Sequence, residues 1–180
     1  MRAFIAIEVG FSHEMEKLYR MLKETGAKLK MVEPENIHLT IKFLGEIDEE
    51  MVRKVKEEMM NAVSEVKPFR GILKGIGAFP GKNRIRVIWI GFHDNGEVVK
   101  ISKAIDEGIS RYGFKKEKSY VPHITIARMK GGERKEKVLQ IIEEYEKKEF
   151  GEIECREIKL KKSILTPKGP IYEDLEVVEL

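Results

Sequence analysis

The chain has 180 residues, 42% hydrophobic and 36% charged, with one cysteine and a formal net charge of +3. That length favours one domain or two small lobes sharing an interface. The lone Cys155 excludes a disulfide framework or a zinc ribbon, and the weak net charge excludes a uniformly basic polyanion binder while leaving a local basic patch open.

Arg2 to Glu8 reads as a buried strand. Ser12 to Thr25 reads as a helix, with Met15, Leu18, Tyr19 and Leu22 on one stripe, Ser12 as N-cap and Gly26 as the stop. Leu29 and Met31 mark a short strand, and Ile37 to Leu44 a longer one ended by Gly45. Asp48 to Val66 is the longest helical pattern. Phe69 to Phe79 and Ile85 to Phe92 form a strand pair around Pro80 to Asn83, the first made irregular by Gly71, Gly75 and Gly77. Asn95 to Tyr112 is helical, a basic loop follows, and His123 to Met129 is a strand. Lys135 to Lys148 is helical. Ile153 to Ile164 and Ile171 to Val178 read as two final strands across the turn at Thr166 to Pro170. Mixed strands and helices with several hairpins predict an α+β fold with antiparallel sheet.

No run approaches a membrane span: the longest uncharged apolar stretch is Val87 to Phe92. Glu8 interrupts the first apolar stretch too early for a signal peptide. A cytoplasmic monomer with no membrane partner is therefore expected. Lys and Glu are abundant, whereas Gln occurs once and Asn four times, the composition of a heat-adapted chain, from which eight Met depart. No glycine-rich nucleotide loop is present.

Two stretches repeat: Ile37-His38-Leu39-Thr40-Ile41 and Pro122-His123-Ile124-Thr125-Ile126. Threonine occurs at only four positions, and two of these follow a histidine by two residues within predicted strands. Alternation puts His38 and Thr40 on one face, and likewise His123 and Thr125. His13 and His93 read as surface residues. Two histidines without a third ligand make a poor metal site. Two imidazoles suit paired acid–base work near neutral pH. Each threonine hydroxyl lies one pleat from its histidine and suits a phosphate oxygen, so the set fits in-line displacement at phosphorus.

The sequence resembles the 2H phosphoesterases, and within them the RNA 2′,3′-cyclic phosphodiesterase, or 2′-5′ RNA ligase, branch. The resemblance rests on Arg2 to Ile7, Glu35 to Glu46, Arg86 to Trp89 and Tyr120 to Arg128, and covers nearly the whole chain. It implies one two-lobed catalytic domain over residues 1–180. Each lobe would be an antiparallel sheet with helices outside, and a central cleft would carry both H-x-T motifs. It implies hydrolysis without metal or nucleotide cofactor, acting on RNA with 2′,3′-cyclic phosphate ends, tRNA among the candidates. By that pattern His38 is the proton donor to the leaving 3′-oxygen and His123 the acceptor from water. Thr40 and Thr125 bind phosphate oxygens, and the product is a 2′-phosphomonoester. The residues alone do not say which histidine is acid and which base.

Phe43 and Arg128 each lie five residues past a histidine, so alternation sends both to the opposite face. Phe43 then reads as core ahead of a base-stacking platform. Arg128 reads as an RNA contact only where the strand bends or ends, and otherwise as a surface or interlobe ion pair. Lys115, Lys116 and Tyr120, in the basic loop before His123, are candidate RNA contacts. A second basic run, Arg156 to Lys168, reads as a solvated face. The same groups would catalyse the reverse ligation to a 5′-hydroxyl, with water at ~55 M favouring hydrolysis unless the RNA end is held. A non-catalytic RNA- or nucleotide-binding module is the alternative from another class.

Overall fold

A computed structural model describes residues 1–180. The elements are β1 (Arg2–Glu8), α1 (His13–Glu24), β2 (Leu29–Met31), a 3-10 turn (Pro34–Asn36), β3 (His38–Glu46), α2 (Glu49–Ala62), β4 (Phe69–Gly81) and β5 (Arg84–His93). They continue with α3 (Glu97–Ser110), β6 (His123–Met129), α4 (Lys135–Glu144), β7 (Glu149–Cys155), β8 (Glu157–Thr166) and β9 (Gly169–Glu179). The strands form two antiparallel sheets, ordered β3-β1-β8-β9 and β2-β6-β5-β4-β7. No helix is long and apolar enough to cross a membrane.

Helix starts follow their capping chemistry. The Ser12 hydroxyl accepts the Met15 N–H at 3.1 Å, and the Asp48 carboxylate accepts that of Met51 at 2.8 Å. Asp94 accepts the N–H groups of Gly96 and Val98 at the start of α3, satisfying donors that a helix end leaves orphaned. The apolar stripes then choose a sheet. Helices α1 and α4 pack with the β2-β6-β5-β4-β7 sheet, and α2 and α3 with the β3-β1-β8-β9 sheet. One apolar cluster runs through both lobes, including Ile5 and Leu39 of the first sheet and Ile88 and Ile124 of the second.

The sequence reading of one strand over Ile153 to Ile164 is corrected. That stretch is the end of β7 and most of β8, in different sheets, separated only at Arg156. No glycine or proline marks the change of sheet, so the pattern carries no stop signal. The expected irregularity of β4 is present at Gly75, where φ is +80° and the pairing with β5 skips between Leu73 and Ile76. Gly71 and Gly77 have another purpose. A Cβ at Gly71 would lie 2.0 Å from the Phe92 ring, and one at Gly77 would lie 2.1 Å from the Trp89 ring. Glycine at these two positions leaves the space that the two β5 rings occupy.

The β3-β1-β8-β9 sheet is strongly coiled. Its outer strands β3 and β9 are separated by β1 and β8, which in a flat sheet puts them about 14 Å apart. Yet the Tyr172 ring of β9 sits 5.4 Å from the His38 ring of β3, and the Asn36 amide donates to the Pro170 carbonyl at 3.0 Å. A break in register between Leu160 and Lys161, where β8 pairs with β9, adds to the bend.

Candidate active site

Strands β3 and β6 belong to different sheets and pack against each other where the lobes meet. In β3, His38 and Thr40 are half-buried while Leu39 and Ile41 are buried; β6 repeats this with His123, Thr125, Ile124 and Ile126. The alternation read from the sequence therefore holds over the first four residues of each motif.

Beyond those residues both strands carry a bulge. In β3, Thr40 pairs with Ala6 and Lys42 with Ile5, leaving Ile41 as the extra residue. In β6, Thr125 pairs with Trp89 and Ala127 with Ile88, leaving Ile126 extra. An extra residue shifts the alternation by one. Residues five past each histidine thus return to its face. Phe43 pairs with Phe4 and is 71% exposed, so the core assignment from simple alternation is corrected. Arg128 is likewise exposed, and its charge acts on the Tyr172 hydroxyl, which belongs to the other sheet.

The two imidazoles are held alike. His38 Nδ1 lies 2.7 Å from the Asn36 carbonyl, and His123 Nδ1 lies 2.8 Å from the Val121 carbonyl, each two residues upstream. A carbonyl only accepts, so each Nδ1 carries the proton and each Nε2 is left for chemistry. His38 Nε2 lies 2.9 Å from Thr40 Oγ1. Each ring also sits in an aromatic corner. Phe4 and Tyr172 lie 4.9 and 5.4 Å from His38, and Phe79 and Trp89 lie 5.0 and 6.2 Å from His123. These four aromatics carry no motif, and sequence reasoning misses them. Phe4 and Trp89 do fall within the Arg2 to Ile7 and Arg86 to Trp89 stretches, whereas Phe79 and Tyr172 have no such signal.

Burial is the main cause holding the His38 pKa below its ordinary 6.5. The Asn36 carbonyl pulls upward, Lys161 downward and Glu8 upward. Lys161, itself buried, bonds Glu8 and lies 3.2 Å from Asp174, while Lys159 contacts the same two carboxylates at 3.1 and 2.8 Å. This charge network sits on the His38 face of its sheet, since Glu8 pairs with His38 and Lys161 with Phe4. It also borders a groove of about 780 Å³ whose lining includes Asn36, Lys168 and Tyr172 but neither histidine.

The remaining candidates are placed differently. Lys116 is paired with Glu107 of α3 at 2.7 Å, and the Lys115 carbonyl accepts from Lys42. Both belong to the loop after α3, bonded towards the helix side of β3. The Tyr120 hydroxyl donates to the Thr40 carbonyl at 2.7 Å, bridging the lobes. His13 and His93 are exposed; His93 ends β5 two residues past Gly91, which pairs with His123, and its Nε2 lies 3.3 Å from the Lys74 carbonyl. No group of three or more His, Cys, Asp or Glu side chains is arranged to hold a metal ion.

Two antiparallel sheets abutting along a duplicated H-x-T strand define a phosphoesterase of the two-histidine class. Within that class the chain belongs to the LigT-like phosphoesterase family, whose model matches residues 5–89 and 93–172. It is 48% identical over 175 residues to the RNA 2′,3′-cyclic phosphodiesterase of Methanocaldococcus jannaschii, covering 96% of this chain and 97% of that one. It is 40% identical over 181 residues to the protein of the same name from Archaeoglobus fulgidus, covering 99% and 100%. Among solved structures, a protein of Thermus thermophilus superposes with a TM-score of 0.76 at 25% identity, covering 100% and 98% of the two chains. Escherichia coli LigT complexed with 3′-AMP shares the fold with a TM-score of 0.72 at 20% identity, covering 99% and 97%.

Proposed function

We propose that this chain opens RNA 2′,3′-cyclic phosphate ends to 2′-phosphomonoesters, with both lobes acting as one catalytic unit over residues 1–180. The observation that carries this reading is the matched pair of histidines on abutting strands, each with Nδ1 tied to a carbonyl and Nε2 left for proton transfer. The name of the relatives at 40–48% identity supports the substrate class.

In this reading the His123 Nε2 lone pair takes a proton from water as the water oxygen bonds to phosphorus. The bond from phosphorus to the 3′-oxygen breaks, and protonated His38 gives its Nε2 proton to that oxygen. The 2′-oxygen keeps the phosphate. Thr40 and Thr125 hydroxyls donate to the equatorial oxygens, where negative charge builds. Arg128 supplies a guanidinium for the phosphate backbone, and Phe43 an exposed ring on which a base can stack. No step needs a metal ion.

Incubation of the purified protein with a 2′,3′-cyclic nucleotide in excess chelator tests the reading. Turnover to a 2′-phosphate is the expected result. A 3′-phosphate product would overturn the regiochemistry, and activity lost in chelator but restored by a divalent cation would overturn the metal-free mechanism.

A further inference from the structure

The two H-x-T strands lie in different sheets, so no strand ladder fixes their spacing. Polar bonds from one short segment do join them. The Tyr120 hydroxyl donates to the Thr40 carbonyl at 2.7 Å, and Tyr120 lies three residues before His123. Just past Thr40, the β3 bulge turns Lys42 to the helix side. There its side chain is 5% exposed and lies 2.8 Å from Asp106 of α3, whose own side chain is 8% exposed. Lys42 also donates to the Lys115 carbonyl, and Asp106 accepts the Glu117 N–H at 2.8 Å. The segment leading into His123 is therefore held to β3 at two points, the Thr40 carbonyl and the Lys42 side chain.

We propose that Tyr120, backed by the Lys42–Asp106 pair, is a positioning residue that sets the spacing between the His38 and His123 strands. The proposal rests on the two-histidine reading above and adds residues outside the H-x-T motifs to it. Tyr120 is suited to the part: its side chain is short of freedom, and burial pushes its hydroxyl pKa up, so it remains a donor throughout the working pH range. The Lys42–Asp106 pair is out of solvent and is little screened by salt. Reacting atoms misplaced by about 1 Å cost about 100-fold in rate, whereas ground-state binding tolerates more.

The test is Tyr120→Phe, which removes one hydroxyl and keeps the ring, assayed on a 2′,3′-cyclic nucleotide with Asp106→Asn alongside. The expected result is kcat lower by about tenfold or more with KM nearly unchanged. Thermal melts should show each variant fully folded at the assay temperature, which separates misplacement from a lowered folded fraction. Should Tyr120→Phe fail to fold, Asp106→Asn reads the same split from the other arm. Wild-type kcat in the folded variants would overturn the clasp while leaving the two-histidine reading standing. An inactive wild type would overturn that reading and the clasp with it.

Discussion

His38 and His123 share a motif and an anchoring pattern, yet their surroundings differ. His38 sits beneath Tyr172 beside a charge network, and burial favours its neutral form. The proposed donor must be protonated, so the free protein holds His38 against its task. A bound phosphodiester anion favours the imidazolium and raises the pKa again. The alkaline limb of kcat/KM, which reports the free protein, is therefore predicted at lower pH than the alkaline limb of kcat. Coincident limbs would refute this account of His38. The same shift has a stability sign: the unfolded chain binds the proton more tightly. The His38 contribution is complete above pH 6.5 and is lost as pH falls towards the lowered folded value. His38→Ala and His123→Ala should each lose about 10²–10⁴ in rate while still folding. Thr40→Ala and Thr125→Ala should lose about 10–100-fold. Substitution at His13, exposed at the start of α1 and outside the motifs, should leave kcat unchanged, as steady-state assays would show. The duplicated motif was legible because strand alternation is rigid over three residues. The carbonyl anchors were not, because backbone oxygens have no letter in the sequence.

At the scale of the strand, the bulges decide what the site contains. Ile41 and Ile126 are the extra residues, and nothing distinguishes them from Leu39 or Ile124, so alternation continued through them misplaces Phe43 and Arg128. The division of β7 from β8 at Arg156 was hidden for the same reason: the apolar pattern continues across a change of sheet. Helix end signals fared better. The helix of Ser12 was legible from its cap and stop, whereas Gly45 proved no stop: β3 runs through it to Glu46, with Gly45 paired to Ala3. Gly77 gives a prediction at this scale. Gly77→Ala drives a methyl into the Trp89 ring, and that ring is one wall beside His123. The variant should lose about 1–3 kcal/mol of stability in denaturant melts. A variant as stable as wild type would mean that the ring can leave β4 without cost.

Across the whole molecule the chain passes repeatedly between lobes. Strand β1 lies in one sheet, α1 and β2 pack with the other, and β3 with α2 returns to the first. The β4–β5 hairpin crosses over again, α3 crosses back, β6 to β7 belong to the second sheet, and β8 with β9 close the first. Neither lobe is a contiguous segment. Beyond the resemblance to a known family, no residue pattern hints at this interleaving, because sheet membership depends on contacts far apart along the chain. A chain ended at Arg156 should accordingly show no cooperative melting transition, since β1 would lose the β8 neighbour that makes it an inner strand. A sharp transition in that fragment would show that the second lobe folds alone.

The position of β1 also shapes the protein's birth. Its five central residues, Ala3 to Ile7, are buried on both faces of the finished sheet and are synthesised well before their β8 neighbours. One flank is covered once β3 emerges. The other waits for residues 157–166, far later in the chain. During synthesis the nascent chain therefore carries an apolar strand with one open edge, the feature most inviting to a neighbouring chain. The tracts that follow β1 before β8, crowded with lysine and glutamate, keep that strand in highly charged company until its last partner arrives.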